Sequence, residues 1–126
     1  MPEGRCVNCS FGMEEVRIPL GWLALRAAVG IPIASPAGHS VQVFSLGEAV
    51  SVMRKSVAIT IVPVGWPPLV ETLERVAARH ITIYACGACC RARFVTEVDL
   101  NQWGARFGSP AIFVSLVEWA DRIITE

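Results

Sequence analysis

Five cysteines stand in a chain of 126 residues, and three of them fall in one octet, Cys86-Gly87-Ala88-Cys89-Cys90-Arg91-Ala92-Arg93. A thiol attacks as its thiolate, so what matters is whether its surroundings favour the anion. The residues just before, Ile81-Thr82-Ile83-Tyr84-Ala85, have the apolar, β-branched character of a buried strand. Cys86 is thereby placed at a strand's carboxyl end, where ligands gather in open α/β sheets, facing the helix that follows. A helix N-terminus stabilises a facing anion by about 0.3–1 kcal/mol, up to ~2 when partly buried, and Arg91 and Arg93 add a comparable amount. With one pKa unit at about 1.4 kcal/mol, these effects together lower a thiol from ~8.5 toward ~7. Cys86 is therefore the principal candidate nucleophile, with Arg91 and Arg93 as stabilisers of its anion. Cys89 is the candidate helper, because Cys86-x-x-Cys89 suits a local disulfide and equally suits a second thiol packed in the first helical turn.

The other cysteines, Cys6, Cys9 and Cys90, are expected to pack as small apolar residues. Cys6/Cys9 and Cys86/Cys89 form two Cys-x-x-Cys pairs, which raises a tetrahedral zinc site. The 76 residues between the pairs exceed the ~15–20 of a zinc ribbon, so neither metal nor cofactor is expected. A thioredoxin-like reading, with Cys86 attacking, Cys89 resolving and Ser109-Pro110 as the proline loop, stays as an alternative, although the pair comes after two-thirds of the chain. His39 and His80 lie in connecting segments and read as solvated or packed residues. Trp66, Trp103 and Trp119 read as core or subunit-contact aromatics. There is no P-loop, dinucleotide fingerprint or Gly-x-Ser-x-Gly, which removes the usual basis for nucleotide binding and hydrolase chemistry.

Eleven basic residues balance eleven acidic ones, and ten of the basic residues are Arg. With no basic excess or stripe, nucleic acid is not an expected partner. Charged residues are 17%, against ~25% in ordinary domains, and this apolar excess points to self-association. The odd cysteine count fits poorly with a fully paired secreted framework, and residues 1–16 lack the basic start and apolar run of an export signal. The expectation is a cytoplasmic protein. Residues 18–38 are mostly apolar but interrupted by Pro19, Gly21, Arg26, Gly30, Pro32 and Pro36, which favours a buried helix and a loop over a membrane span.

The elements that must position these thiols alternate. A strand is expected over 5–10, a helix from about residue 19 to 29, a strand over 41–44 and a helix over 47–55. Residues 57–64 have strand propensity in conflict with Pro63. A helix starting at Pro67 follows, with Leu69, Leu73, Val76 and Ala77 on its apolar face and Glu71 paired to Arg75. After the strand at 81–85, Thr96 caps a helix reaching about Arg106, and Ser109-Pro110 opens another with Ile112, Leu116, Val117, Trp119 and Ala120 as its buried stripe. Residues 122–125 close as a short strand. Such alternation implies an α/β fold: a single domain over 1–126, with a mainly parallel sheet of about four to five strands covered on both faces.

The run Ile83 to Arg93, continued by Val95-Thr96-Glu97 and the C-terminal segment, resembles the DsrE/DsrF-like family of small sulfur-relay proteins. Val43-Phe44-Ser45-Leu46-Gly47-Glu48-Ala49-Val50 and Val64-Gly65-Trp66-Pro67-Pro68-Leu69 support the resemblance, which covers about 41–126. It implies a three-layer α/β/α domain, often trimeric or hexameric, whose cysteine carries a persulfide between partner proteins. By position that cysteine matches Cys86, and Arg93 matches the family's basic residue. The resemblance also favours helix or loop over strand for 57–64, while the proline-rich stretch 30–38 departs from the family pattern. The function expected is an intracellular sulfur relay in which Cys86 accepts sulfane sulfur from a donor protein and passes it to an acceptor thiol. The alternative from another class is a non-catalytic oligomeric binding or assembly protein of the same fold.

Overall fold

The computed structural model describes residues 5–11, 40–62, 64, 65 and 67–125, with the backbone alone for 5–11, 40, 122, 124 and 125. The helix expected from 19 to 29, the loop after it, His39, Pro63 and Trp66 lie outside the described residues.

Among the described residues five strands form one sheet: β1 (Arg5–Phe11), β2 (Ser40–Leu46), β3 (Ile83–Cys86), β4 (Arg106–Gly108) and β5 (Arg122–Thr125). Their spatial order is β4-β3-β2-β1-β5, and every pairing is parallel. Parallel neighbours need crossovers, and the described helices lie on both faces, giving the three layers expected of an α/β/α fold.

The faces can be read along β2 and β3, where successive side chains point to opposite sides. Val43, Ile83 and Ala85 face the larger core, which includes Val50 and Met53 of a 3-10 helix (Gly47–Met53), Ala58 of α1 (Lys55–Ala58) and Leu69, Leu73 and Val76 of α2 (Leu69–Ala78). Cys90 of α3 (Gly87–Ala92) and Leu100 of α4 (Glu97–Asn101) fill the rest of that layer. Phe44, Tyr84 and Cys86 face the other side, against Ile112, Phe113, Leu116 and Trp119 of α5 (Pro110–Trp119). Each fully buried Leu or Val contributes roughly 1.5–3 kcal/mol, so the larger core holds most of the stability.

Local signals explain most boundaries. Thr96 and Asp99 make a reciprocal capping box at α4, and Ser109 accepts from the Ile112 amide with Pro110 as the first residue of α5. Glu71 and Arg75 approach to 3.7 Å on the outside of α2.

Several sequence expectations need correction. Helix α4 stops at Asn101, because Gly104 turns at φ +64 and releases the chain into β4, a strand the sequence did not announce. Trp103 sits in that turn rather than on a helix, buried, with its indole Nε1 donating to the Met53 carbonyl at 2.8 Å. The helix expected over 47–55 divides into the 3-10 helix and α1 at Arg54, whose backbone is extended. The described part of 57–64 is helix end, turn and loop, as the family resemblance implies, and β4 supplies the fifth strand instead. Helix α2 begins at Leu69, two residues after Pro67. Val117 is 36% exposed and does not belong to the stripe that α5 buries.

Candidate functional site

Cys86 ends β3 and is the N-cap residue of α3, so one residue joins the sheet's carboxyl edge to a helix start. Its backbone pairs with Gly108, which immediately precedes Ser109, the cap of α5. The side chain is half-buried on the α5 side. Burial pushes its pKa up, but the Cys89 amide, the Cys89 thiol, the Ala88 amide and the charge of Arg91 outweigh it, leaving the thiol more acidic than usual. The sulfur lies outside strict capping geometry for those amides, yet near enough for them to favour its anion. Arg91 folds back toward this turn: a Cβ on Gly87 would sit 3.5 Å from its Nη1.

Cys89, one turn on, is also half-buried, and packs against the larger core. Burial and the hydrogen bond to Cys86 raise its pKa, while the Gly47 amide, donating to its sulfur at 3.2 Å, and Arg93 act in the opposite sense. The two thiols thus move apart in acidity, Cys86 becoming the more acidic and Cys89 the less acidic of the pair. Gly47 adopts φ +59, in the left-handed region that favours glycine, as the chain leaves β2 and aims its amide at Cys89.

Arg93 is placed differently from Arg91. Its Nε donates to Glu48 Oε1 at 2.7 Å, its Nη2 to the same oxygen, and its Nη1 to the Cys89 carbonyl at 3.4 Å. This bond holds the Glu48 carboxyl below its usual pKa. Arg93 therefore ties the end of α3 to the 3-10 helix, and its charge acts on Cys89. Arg54 completes the brace by donating from Nη2 to the carbonyls of Arg93, at 2.7 Å, and Phe94. Those carbonyls close α3, where Phe94 turns at φ +57 with its ring 79% exposed.

Cys90, fully buried, has its pKa pushed up to about 11 by burial and by the charges of Cys86 and Cys89. It stays a thiol in the core. Cys6 and Cys9 lie on β1, two strands from β3, and the register sets Cys6 five positions back from the level of Cys86. At ~3.3 Å per residue that is about 17 Å, too far for all four sulfurs of the two pairs to bind one metal ion. His80 is exposed at φ +57 after α2. A surface recess of about 400 Å³ lined by Lys55, Glu74, Ala77, Gln102 and Trp103 contains none of the candidate site residues.

Sequence reasoning missed Gly47, whose amide reaches the Cys89 sulfur, and Glu48 and Arg54, which hold Arg93 and the end of α3, all from about forty positions away. Its one available signal was the run Ser45-Leu46-Gly47-Glu48, part of the family resemblance but given no role there.

A parallel sheet with helices on both faces, and a half-buried thiol at its carboxyl edge, places the chain among small three-layer α/β proteins. The profile of the DsrE/DsrF-like family matches residues 12–125, and the chain belongs to that family. Among solved structures, the ychN protein from E. coli is similar at 14% identity over 99% of this chain and 100% of that one, with a TM-score of 0.67. A protein of unknown function, MTH1491 from Methanobacterium thermoautotrophicum, is similar at 17% identity over 98% and 100%, with a TM-score of 0.65. BT1422 from Bacteroides thetaiotaomicron, also of unknown function, reaches a TM-score of 0.56 at 13% identity over 96% and 94%. At these identities the likeness carries the fold. No curated protein matches the chain, and no helix among its described residues is long and apolar enough to cross a membrane.

Proposed function

We propose that this chain is a persulfide carrier in an intracellular sulfur relay, the activity generally associated with its family. The observation that carries the reading is the pairing of Cys86 with groups that favour its thiolate: the amides of Cys89 and Ala88, the Cys89 thiol and Arg91. The Cys86 thiolate attacks the sulfane sulfur of a donor protein and the donor's thiolate leaves. The outer sulfur then passes to an acceptor thiol, restoring the Cys86 thiolate. Arg91 stabilises the anion in both states, and Arg93 holds α3 against Glu48 so that Cys89 stays beneath Cys86. The reading includes a cytoplasmic homo-oligomer, trimer or hexamer, supported by Phe94 and Val98 standing 79% and 70% exposed just past the cysteine turn.

Intact-mass and peptide mapping after exposure to glutathione persulfide test this. The wild type is expected to gain about 32 Da on Cys86 and to lose it to an added acceptor thiol, while Cys86→Ser gains nothing on that peptide. An adduct carried equally by Cys86→Ser would refute the assignment.

A further inference from the structure

Cys89 is more than a neighbour that makes Cys86 acidic. Its sulfur has its own anion-stabilising surroundings, the Gly47 amide at 3.2 Å and the positive charge of Arg93, neither of which is needed to donate a proton to Cys86. Cys86 is the N-cap of α3 and Cys89 the third residue of that helix, the Cys-x-x-Cys placement at a helix start that suits a local disulfide. Both sulfurs are half-buried and reduced, and each is among the groups that shift the other's pKa.

From this geometry we infer, on the basis of the persulfide reading above, that Cys89 is a resolving thiol that discharges the Cys86 persulfide as hydrogen sulfide when no acceptor is docked. The Cys89 proton moves to the outer sulfur of the persulfide, and the Cys89 thiolate attacks Cys86 Sγ. A bond forms between Cys89 Sγ and Cys86 Sγ, the bond between Cys86 Sγ and the outer sulfur breaks, and HS⁻ leaves. Two thiols are oxidised to a disulfide and the sulfane sulfur is reduced to sulfide, so the electrons balance within the site. A dithiol reductant resets the disulfide.

Loading Cys86 prepares the attack. Negative charge on Cys86 Sγ is one of the causes that raise the Cys89 pKa. In a persulfide that charge sits one atom farther out, so this restraint on Cys89 weakens while the Gly47 amide and Arg93 remain. The dithiol thereby divides each bound sulfur between transfer and release.

The test follows freshly loaded wild type, Cys89→Ser and Cys89→Ala, freed of excess glutathione persulfide, by intact mass, disulfide mapping and monobromobimane detection of sulfide. Wild type is expected to lose its adduct of about 32 Da, become about 2 Da lighter than the reduced chain through a Cys86–Cys89 disulfide, and release about one equivalent of sulfide. Both variants are expected to keep the adduct at least about tenfold longer. An adduct on Cys86 that lasts as long in the wild type as in the variants overturns the resolving role and leaves the carrier reading standing. No adduct on Cys86 in any of the three proteins overturns both.

Discussion

Cys86 and Cys89 are both half-buried, so desolvation raises both thiols and their different acidities come from bonding. The Cys89 thiol and two amides lower Cys86; the same thiol pairing raises Cys89, which has one amide to oppose it. That asymmetry can be measured. Iodoacetamide alkylation of Cys86 is expected to rise with pH at lower pH than for a free thiol, since a depressed pKa fills the reactive thiolate earlier. Cys89→Ala removes the S–H donor and shifts the Cys86 alkylation midpoint upward; Arg91→Ala shifts it in the same direction. Peptide-resolved alkylation against pH checks both, and a midpoint that stays put or falls in Cys89→Ala contradicts the acidifying effect of the Cys89 thiol on Cys86. At this scale the sequence was informative about Cys86, because a strand that ends in Cys followed by small residues is a local pattern. It was silent on how Arg91 and Arg93 divide their work, because Glu48 decides that from a distant part of the chain.

The elements that carry the site meet at close contacts where single atoms matter. A Cβ on Gly108, the residue paired with Cys86, would lie 2.6 Å and 2.8 Å from two ring carbons of Phe44. Phe44 is 2% exposed and packs edge-on against Phe113 at 5.2 Å, so the ring has nowhere to go. Gly108→Ala is expected to cost about 1–3 kcal/mol by overpacking, read as a lower urea midpoint at unchanged slope. On α2 the opposite change helps. Thr72 is 2% exposed and its Oγ1 has no hydrogen-bond partner among the described residues. Thr72→Val exchanges that hydroxyl for a methyl and is expected to raise the midpoint, by up to about 1–3 kcal/mol of recovered desolvation. A midpoint that drops would mean that the hydroxyl is satisfied in solution. Capped helices such as α4 and α5 were legible because Thr96 and Ser109 announce their starts. Strand β4 was not, because its three residues are too few to show a period and its place depends on pairing with β3.

Across the whole molecule, alternating strands and helices announced the α/β class and the parallel pairing. The order β4-β3-β2-β1-β5 was not available, since neighbour choice depends on packing between remote segments. One buried group links the thiol cluster to global stability. Cys90 is fully buried with a pKa of about 11, whereas in the unfolded chain it titrates near ~8.5. Between those values the unfolded chain loses the proton and the native protein keeps it, so the unfolded state binds fewer protons and stability falls as pH rises. The stabilisation is complete below about pH 8.5 and declines by up to roughly 2–3 kcal/mol as the pH approaches the native value. Cys90→Ala removes this dependence, at the cost of a small cavity that lowers stability about equally at every pH. Urea unfolding from about pH 7 to 10.5 is therefore expected to show a steeper alkaline loss for wild type than for Cys90→Ala. Parallel curves would mean that Cys90 titrates alike in both states, and that the core around α3 opens to water before the protein unfolds.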